Sequence, residues 1–512
     1  LKKWVISLKS IDFIIFCLKI LNDMEVTEKS GVFSTYKFDG DHCDEVFSSD
    51  SKVRSHYQNL ITQFGQLNSE DFKELNEYAK VSFYNQGITF AVYSDKQRGV
   101  ERIMPFDLFP RIMPSKEWET IEKGVIQRNT AINLFLHDIY GSKKIFKDKV
   151  VSSDLVYSAK YYLKEMEGIK PVGGIYNHIS GTDIIKHRDG KFYILEDNVR
   201  CPSGVSYVIA NRIAMKKTLP NLLRQYKVHS VEEYPEQLLS IMQSVAPEGL
   251  DSPTCVVLSP GMYNSAYYEH SFLALNMGIQ LVEGRDLFVD NKFVYMKTIN
   301  GPQRVDVIYR RVDDDFLDPK VWRKESVLGV AGIISAYKAG NVSLLNAPGC
   351  GAADDKAVYS YVPDIIKYYL GEEPILNNVQ TYRCEKDDDY KYVMENVQNL
   401  VIKPVDESGG YGILIGPKST KEEIADVKKL IVANRRKYIA QPMLSLSVHS
   451  TFIDETDGFE PRHIDLRTYC LMGKDKSYVV KGGLSRVALK RGNLIVNSSQ
   501  GGGAKDSWVL ED

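Results

Sequence analysis

Along the 512-residue chain the spacing of hydrophobic positions changes period several times, and each change marks an element. From Asp71 to Ala79 the spacing is helical, and "GITFAVYS" (Gly87–Ser94) then alternates as a strand does. "SKEWETIEKGVIQRNTAINLFLHDIYG" predicts a long amphipathic helix with Ser115 as N-cap, glutamates in its first turns and Gly141 as its stop. Trp118, Ile121, Val125, Ile132, Phe135 and Ile139 form its apolar stripe. A further unit begins near "PEGLDSP" (Pro247–Pro253). After it come an apolar run, "TCVVLSPG", a helical pattern from Ala266 to Met277, and the strand "IQLVEG". Strand, turn, helix, strand predicts a parallel α/β layer. The charged segment "RCEKDDDYKYVMEN" (Arg383–Asn396) precedes a glycine-rich stretch, and the remainder reads as short strands and one lysine-rich helix (Lys421–Arg436).

Two β-prone runs in "GTDIIKHRDGKFYILEDN" flank Asp189-Gly190, which signals a type I′ hairpin. A two-residue loop pairs Arg188 with Lys191 and, counting outward, sets Asp183 opposite Glu196, with Asn198 on the same face. Directly opposed like charges destabilise a ladder, so this face calls for a cation. Hard oxygen ligands without His or Cys favour Mg²⁺ or Mn²⁺. The plainer alternative is a solvated hairpin face carrying incidental acids.

"LVIKPVDESGGYGILIGP" (Leu400–Pro417) sets Lys403 in an apolar run and follows it with three glycines in four residues. It is not a Walker A loop, because Gly412 and Gly416 are too close and Pro417 precedes Lys418. "GYGILIG" has one residue too many for GxGxxG, and "ILI" reads as a returning strand rather than a helix. Strand, loop and returning strand make a flap whose amides can close over a phosphate chain, with Lys403 as a point charge. The alternative is a glycine-rich turn with Lys403 reaching solvent.

Composition narrows the setting. A net charge of −2 gives no electrostatic reason to expect nucleic acid or an anionic membrane as partner. Seven cysteines stand singly, without CxxC pairs, which disfavours a disulfide framework or structural zinc and fits a reducing cytoplasm. The first residues start with Leu, and Lys9, Asp12 and Lys19 break their apolar run, so no spanning helix is expected. They read as an upstream extension with Met24 near the true start, or as an amphipathic anchor.

An Asp on one strand, Glu-x-Asn on the next, and a Lys-Pro strand with a glycine flap together resemble the ATP-grasp ligases. The acids precede the lysine, which is similar to the circularly permuted ATP-grasp family related to glutathionylspermidine synthase. "MPFDLFPRIMPSKEW", "LEDNVRCPSGVSY", "NAPGCGAADDKAVYSYVPD", "HIDLRTY" and "NSSQGGGAKDSWVL" carry the likeness further. The resemblance implies a mixed α+β and α/β fold. In it a permuted ATP-grasp unit carries an inserted parallel α/β unit and an N-terminal helical region. The expected divisions are an extension (1–23), an accessory helical region (24–150), a metal-binding half (151–250), a substrate-side α/β unit (251–382) and a nucleotide-binding half (383–512).

It also implies roles. Asp183, Glu196 and Asn198 match the magnesium ligands. Lys403 with Ser408, Gly409, Gly410, Tyr411 and Gly412 matches the triphosphate grip. Gln441, in "YIAQPM", stands at the hinge beside adenine. Gly181 occupies a position where several relatives keep an arginine that steadies the oxyanion; Arg200 or Arg467 is expected to replace it. ATP and Mg²⁺ (or Mn²⁺) are thus the implied cofactors, and a small-molecule or peptide carboxylate and an amine the implied substrates. The expected reaction is ligation through an acyl phosphate; a phosphotransferase or a non-catalytic ATP-binding subunit is the alternative.

Overall fold

In a computed structural model of the chain, the described residues are 31–34, 36–37, 42–94, 97–407, 411–489, 496 and 502–512. The expected 1–23 extension and the start of the "SSQGGGAKD" loop lie outside them.

The N-terminal region carries α1 (Ser69–Asn85), which opens with a reciprocal cap between Asn68 and Asp71. It continues into β1 (Phe106–Met113) and α2 (Ser115–Ile139). β2 (Ile179–Lys186) and β3 (Phe192–Asn198) form the acidic hairpin, and α3 (Val205–Thr218) follows. β4 (Cys255–Leu258), α4 (Tyr267–Met277), β5 (Gln280–Val282), β6 (Val307–Arg310) and β7 (Ser343–Leu345) build the middle unit. The lysine-bearing lobe comprises β8 (Leu400–Pro404), β9 (Leu414–Ile415), α5 (Lys421–Ala433) and β10 (Tyr438–Pro442). β11 (Gly458–Met472), β12 (Leu484–Val487) and β13 (Gly503–Val509) return to the hairpin.

A nine-stranded sheet joins the two ends of the chain. Its main path runs Asn377–Asn378, β3, β2, β11, β12, β13, β1, with Val448–Ile453 and Ser477–Val479 also paired to β11. The middle unit is the expected parallel layer, ordered β7-β6-β4-β5. The lysine lobe is a separate antiparallel sheet, in which β8 pairs with both β9 and β10. Strand and returning strand around the glycine loop are therefore present. "Short strands" does not describe the end of the chain, because β11 runs fifteen residues. Its length lets it pair with four different strands.

α2 ties these parts together. Trp118, Ile121 and Val125 pack with Ile184, Phe192 and Ile194 beneath the hairpin, while Ile132, Phe135 and Ile139 enter the core of the middle unit. Ser115 is the first helical residue rather than the cap; Pro114 holds that place with no side-chain bond. The Pro114 carbonyl accepts from the Glu117 and Trp118 N–H groups there. The lysine lobe has a core of its own, in which Ile402 and Ala440 meet Val427 and Ile431 of α5.

One buried ion pair fixes the back of the hairpin. Arg128 on α2 donates through Nε and Nη2 to Asp197 at 2.6–2.8 Å, and through Nη1 to Asn378 at 2.6 Å. Removing one partner strands the other charge in the interior. Arg128→Ala is expected to cost about 3–5 kcal/mol of unfolding free energy in urea denaturation. A loss under about 1 kcal/mol, the range of exposed pairs, would show that the pair does not hold the hairpin to α2.

Candidate active site between the hairpin and the lysine strand

The hairpin reaches the expected opposition by a different route. His187 pairs with Lys191, so the loop has three residues, Arg188 to Gly190, with Gly190 at φ +78°. That closure is a three-residue turn ending in a left-handed glycine, not the two-residue type I′ turn. Ile184 then faces Ile194, but the register shifts and Asp183 faces Glu196. Leu195 is the extra residue of a β-bulge. The bulge also reverses the faces: Phe192, Ile194 and Asp197 are buried, whereas Leu195 and Glu196 line a cleft.

That cleft, with about 1000 Å³ of empty space open to solvent, lies between the central sheet and the lysine lobe. Asp183, Glu196, Lys356, Lys403, Gln441 and Arg486 all contribute to its wall. Val401, Ile415 and Met443 give one end an apolar surface. Glu196 and Lys403 thus share one cavity although they come from distant parts of the chain.

Asp183 is the most tightly held of these groups. Arg467, directly opposite on β11, donates to both its oxygens at 2.6 and 2.8 Å. Arg486 on β12 donates to Oδ2 at 2.8 Å and also to Asp465, its own cross-strand partner. Burial would raise the Asp183 carboxyl, but the two guanidinium charges and their hydrogen bonds hold it well below the usual range. Gly181 makes this possible: a Cβ there would stand 3.1 Å from Pro202 Cβ and 3.4 Å from Arg467 Cδ. The Arg467 stem lies over Gly181 and brings a guanidinium to the face where a side chain at 181 would project.

Glu196 meets Lys356 Nζ at 3.3 Å, and Lys356 donates to the Glu407 carbonyl at 2.6 Å. Asn198 donates through Nδ2 to the Gly181 carbonyl at 3.1 Å. Lys403 has no ion pair among the described residues. Desolvation by burial pushes its amine down to about 8, against the pull of the Glu196 charge. Gln441 sits opposite Val401 on β10 and donates to Thr381 Oγ1 at 3.0 Å. Tyr411 lines the cleft and is 56% exposed, and Gly412 adopts φ +70°. Ser408, Gly409 and Gly410 lie outside the described residues.

Arg200 is not in this cleft. It lines an adjoining chamber that shares Glu196, Lys356 and Glu407 with it. Three cleft residues escape the sequence reading. Lys356 lies in the quoted "GAADDK" segment, but its role depends on a loop bringing it to Glu196. Asp465 and Arg486 are found only through β11–β12 pairing, although Asp465's spacing from Arg467 puts both on one face of a strand.

The donor set suits a hard cation. Glu196 and Asn198 share the face that Asp183 opposes, and no His or Cys competes. Among the described residues no group of three or more His, Cys, Asp or Glu side chains could hold a metal. A cation here would rest on two carboxylates at most, completed by amide, water and phosphate oxygens, which is how Mg²⁺ is usually held. All six described cysteines are free, four of them buried.

Comparison with known proteins places this geometry in a class. The profile described as "Circularly permuted ATP-grasp type 2" matches residues 110–488. The chain belongs to that family. It is 50% identical over 472 residues to an uncharacterized protein of Synechocystis sp., covering 92% of this chain and 98% of the relative. A putative glutamate–cysteine ligase of Frankia casuarinae is 37% identical over 469 residues; the match covers 91% of this chain and 53% of that protein. Among solved structures, a glutathione synthetase-like effector from Globodera pallida in its apo form aligns with TM-score 0.55 at 11% identity. The alignment covers 86% of this chain and 98% of the effector, and it is a likeness of fold alone. The expected permuted ATP-grasp architecture is therefore the observed one.

The lowered Lys403 pKa sets a pH dependence. Below pH 8 the amine is charged in both folded and unfolded chains and the desolvation penalty is present in full. Between about 8 and the unfolded value of 10.5 the unfolded chain binds more protons, so stability rises with pH. Stability of the wild type relative to Lys403→Met is expected to rise across pH 8–10 in denaturant titrations. A flat difference would mean that the amine is fully solvated.

Proposed function

We propose that this chain is an ATP- and magnesium-dependent ligase that joins a carboxylate to an amine and releases ADP and phosphate. One observation carries the reading: Lys403, Lys356 and Glu196, from separate stretches of chain, face one cleft. Adenine lies at the apolar end against Val401 and Met443, with Gln441 at its edge. Lys403 and Lys356 take phosphate oxygens as point charges. Glu196 and Asn198 would hold the magnesium ion, with Asp183 fixed beside them by its two arginines, and the ion would neutralise the phosphates for transfer.

In the first step a substrate carboxylate oxygen attacks the γ-phosphorus and the bond to ADP breaks, leaving an acyl phosphate. In the second an amine attacks the acyl carbon, the carbon–oxygen bond breaks and phosphate departs. Lys356, common to the cleft and the adjoining chamber, is the cation beside the tetrahedral oxyanion. Of the two arginines expected there, Arg467 is committed to Asp183 and positions it, while Arg200 faces the chamber. Free cysteines fit a reducing, ATP-rich compartment such as the cytoplasm. Among the described residues no helix is long and apolar enough to cross a membrane.

Incubation with MgATP and a mixed metabolite extract is expected to yield ADP, phosphate and a new amide detectable by mass spectrometry. Added hydroxylamine is expected to divert the acyl phosphate to a hydroxamate. Lys403→Ala and Glu196→Ala should each lower turnover by about a hundredfold or more. ADP with a stable phosphorylated product and no amine requirement would make the protein a phosphotransferase instead.

A further inference from the structure

The chamber beside the cleft is small, with about 410 Å³ of empty space that is partly open to solvent. Lys160, Tyr161 and Arg200 line it together with Asp354, Asp406 and Glu407, and Glu407, like Glu196 and Lys356, is shared with the cleft. The Arg200 guanidinium lies flat on the Tyr161 ring, its carbon 3.8 Å from the ring centre. The nearest carboxylate oxygens, of Asp313 and Asp354, stand 3.6 and 3.7 Å away, beyond good hydrogen-bond range. Arg200 Nε is buried with no hydrogen-bond partner among the described residues. Asp406 Oδ1 is likewise buried and unpartnered among them. A buried donor on a cation and a buried acceptor on an acid, in one small chamber, are each costly unless something satisfies them.

We propose that this chamber is the subsite for the amine substrate and that the substrate is a free α-amino acid. The proposal rests on the ligase reading above and names its acceptor. The carboxylate of the amino acid meets the Arg200 fork, with Lys160 adding charge, and its ammonium meets Asp406. A stacked guanidinium that Asp313 and Asp354 approach only at ion-pair distance keeps planar donors, the geometry that matches a carboxylate. The limited volume excludes a folded peptide or a long polyamine lying wholly inside. Asp406 adjoins Glu407, whose carbonyl holds Lys356, so the ammonium end lies at the junction with the cleft. There the ammonium passes a proton to Asp406, the nitrogen lone pair forms the bond to the acyl carbon, the carbon–oxygen bond to phosphate breaks, and the second N–H proton leaves with the phosphate. Phosphate leaves through the cleft, and the amino-acid carboxylate keeps its place on Arg200 as the new C-terminus.

The test is isothermal titration of the full chain with each of the twenty common amino acids and, separately, with MgATP. At least one amino acid is expected to bind. The amine obtained by removing its carboxylate should bind roughly tenfold more weakly or worse, as should the amino acid itself to Arg200→Met. MgATP affinity in Arg200→Met should stay within about twofold of wild type, because Arg200 lies outside the nucleotide cleft; the same measurement verifies folding. An amine that binds wild-type protein as tightly as its parent amino acid would overturn the assignment without any variant. So would binding of MgATP with no response to any of the twenty. Amino-acid binding without MgATP binding would support the chamber and instead remove the ligase reading.

Discussion

One carboxylate between two guanidiniums holds this site together. Asp183 belongs to a hairpin from the first half of the chain, while Arg467 and Arg486 come from neighbouring strands near its end. Each alone would be an expensive buried charge; together they convert desolvation into a fixed geometry. Because β2 and β11 are adjacent strands, that geometry also sets the floor of the cleft. Glu196, one strand further out, keeps a face to the cavity and meets Lys356 there. The acid face expected to need a cation is thus shared: two arginines satisfy Asp183, and Glu196 and Asn198 remain on the open side.

The lysine lobe meets this floor from the other side. Its core is closed off by α5, and its links to the rest include Lys356 N–H donating to the Val405 carbonyl and the Arg436–Asp355 pair. Ile439 of β10 and Val405, just past β8, also pack into the core of the middle unit. Lys403 rides on the inner strand, so this packing helps set where its charge stands relative to the acids opposite.

Much of this was legible in the sequence, for reasons of range. The Asp-Gly turn, the alternation on either side of it and the Lys-Pro strand with its glycines are local signals, and the elements they predict are present. The opposition of Asp183 and Glu196 came from a count containing two compensating departures. The loop has one residue more than its Asp-Gly suggests, and Leu195 adds one to the strand beyond. A leucine in an apolar run gives no sign of a bulge, because what forces it is α2. That helix needs Phe192, Ile194 and Asp197 on one face. Lys356, Asp465 and Arg486 were missed for a related reason. Their positions follow from pairings between strands and loops far apart in the chain, which local periodicity does not encode. Arg200 and Arg467 were interchangeable on paper; their partners separate them, a carboxylate fork for one and an aromatic ring for the other.

The same distance has a consequence for how the protein is made. Asp183 precedes Arg467 by 284 residues and Arg486 by 303. A ribosome adding about 5–20 residues each second exposes the hairpin for many seconds before either arginine emerges. In that interval two carboxylates oppose each other with neither guanidinium present, which weakens the ladder that carries them. The nascent hairpin is therefore poorly set to close early. The sheet matures late, only after most of the chain has been translated.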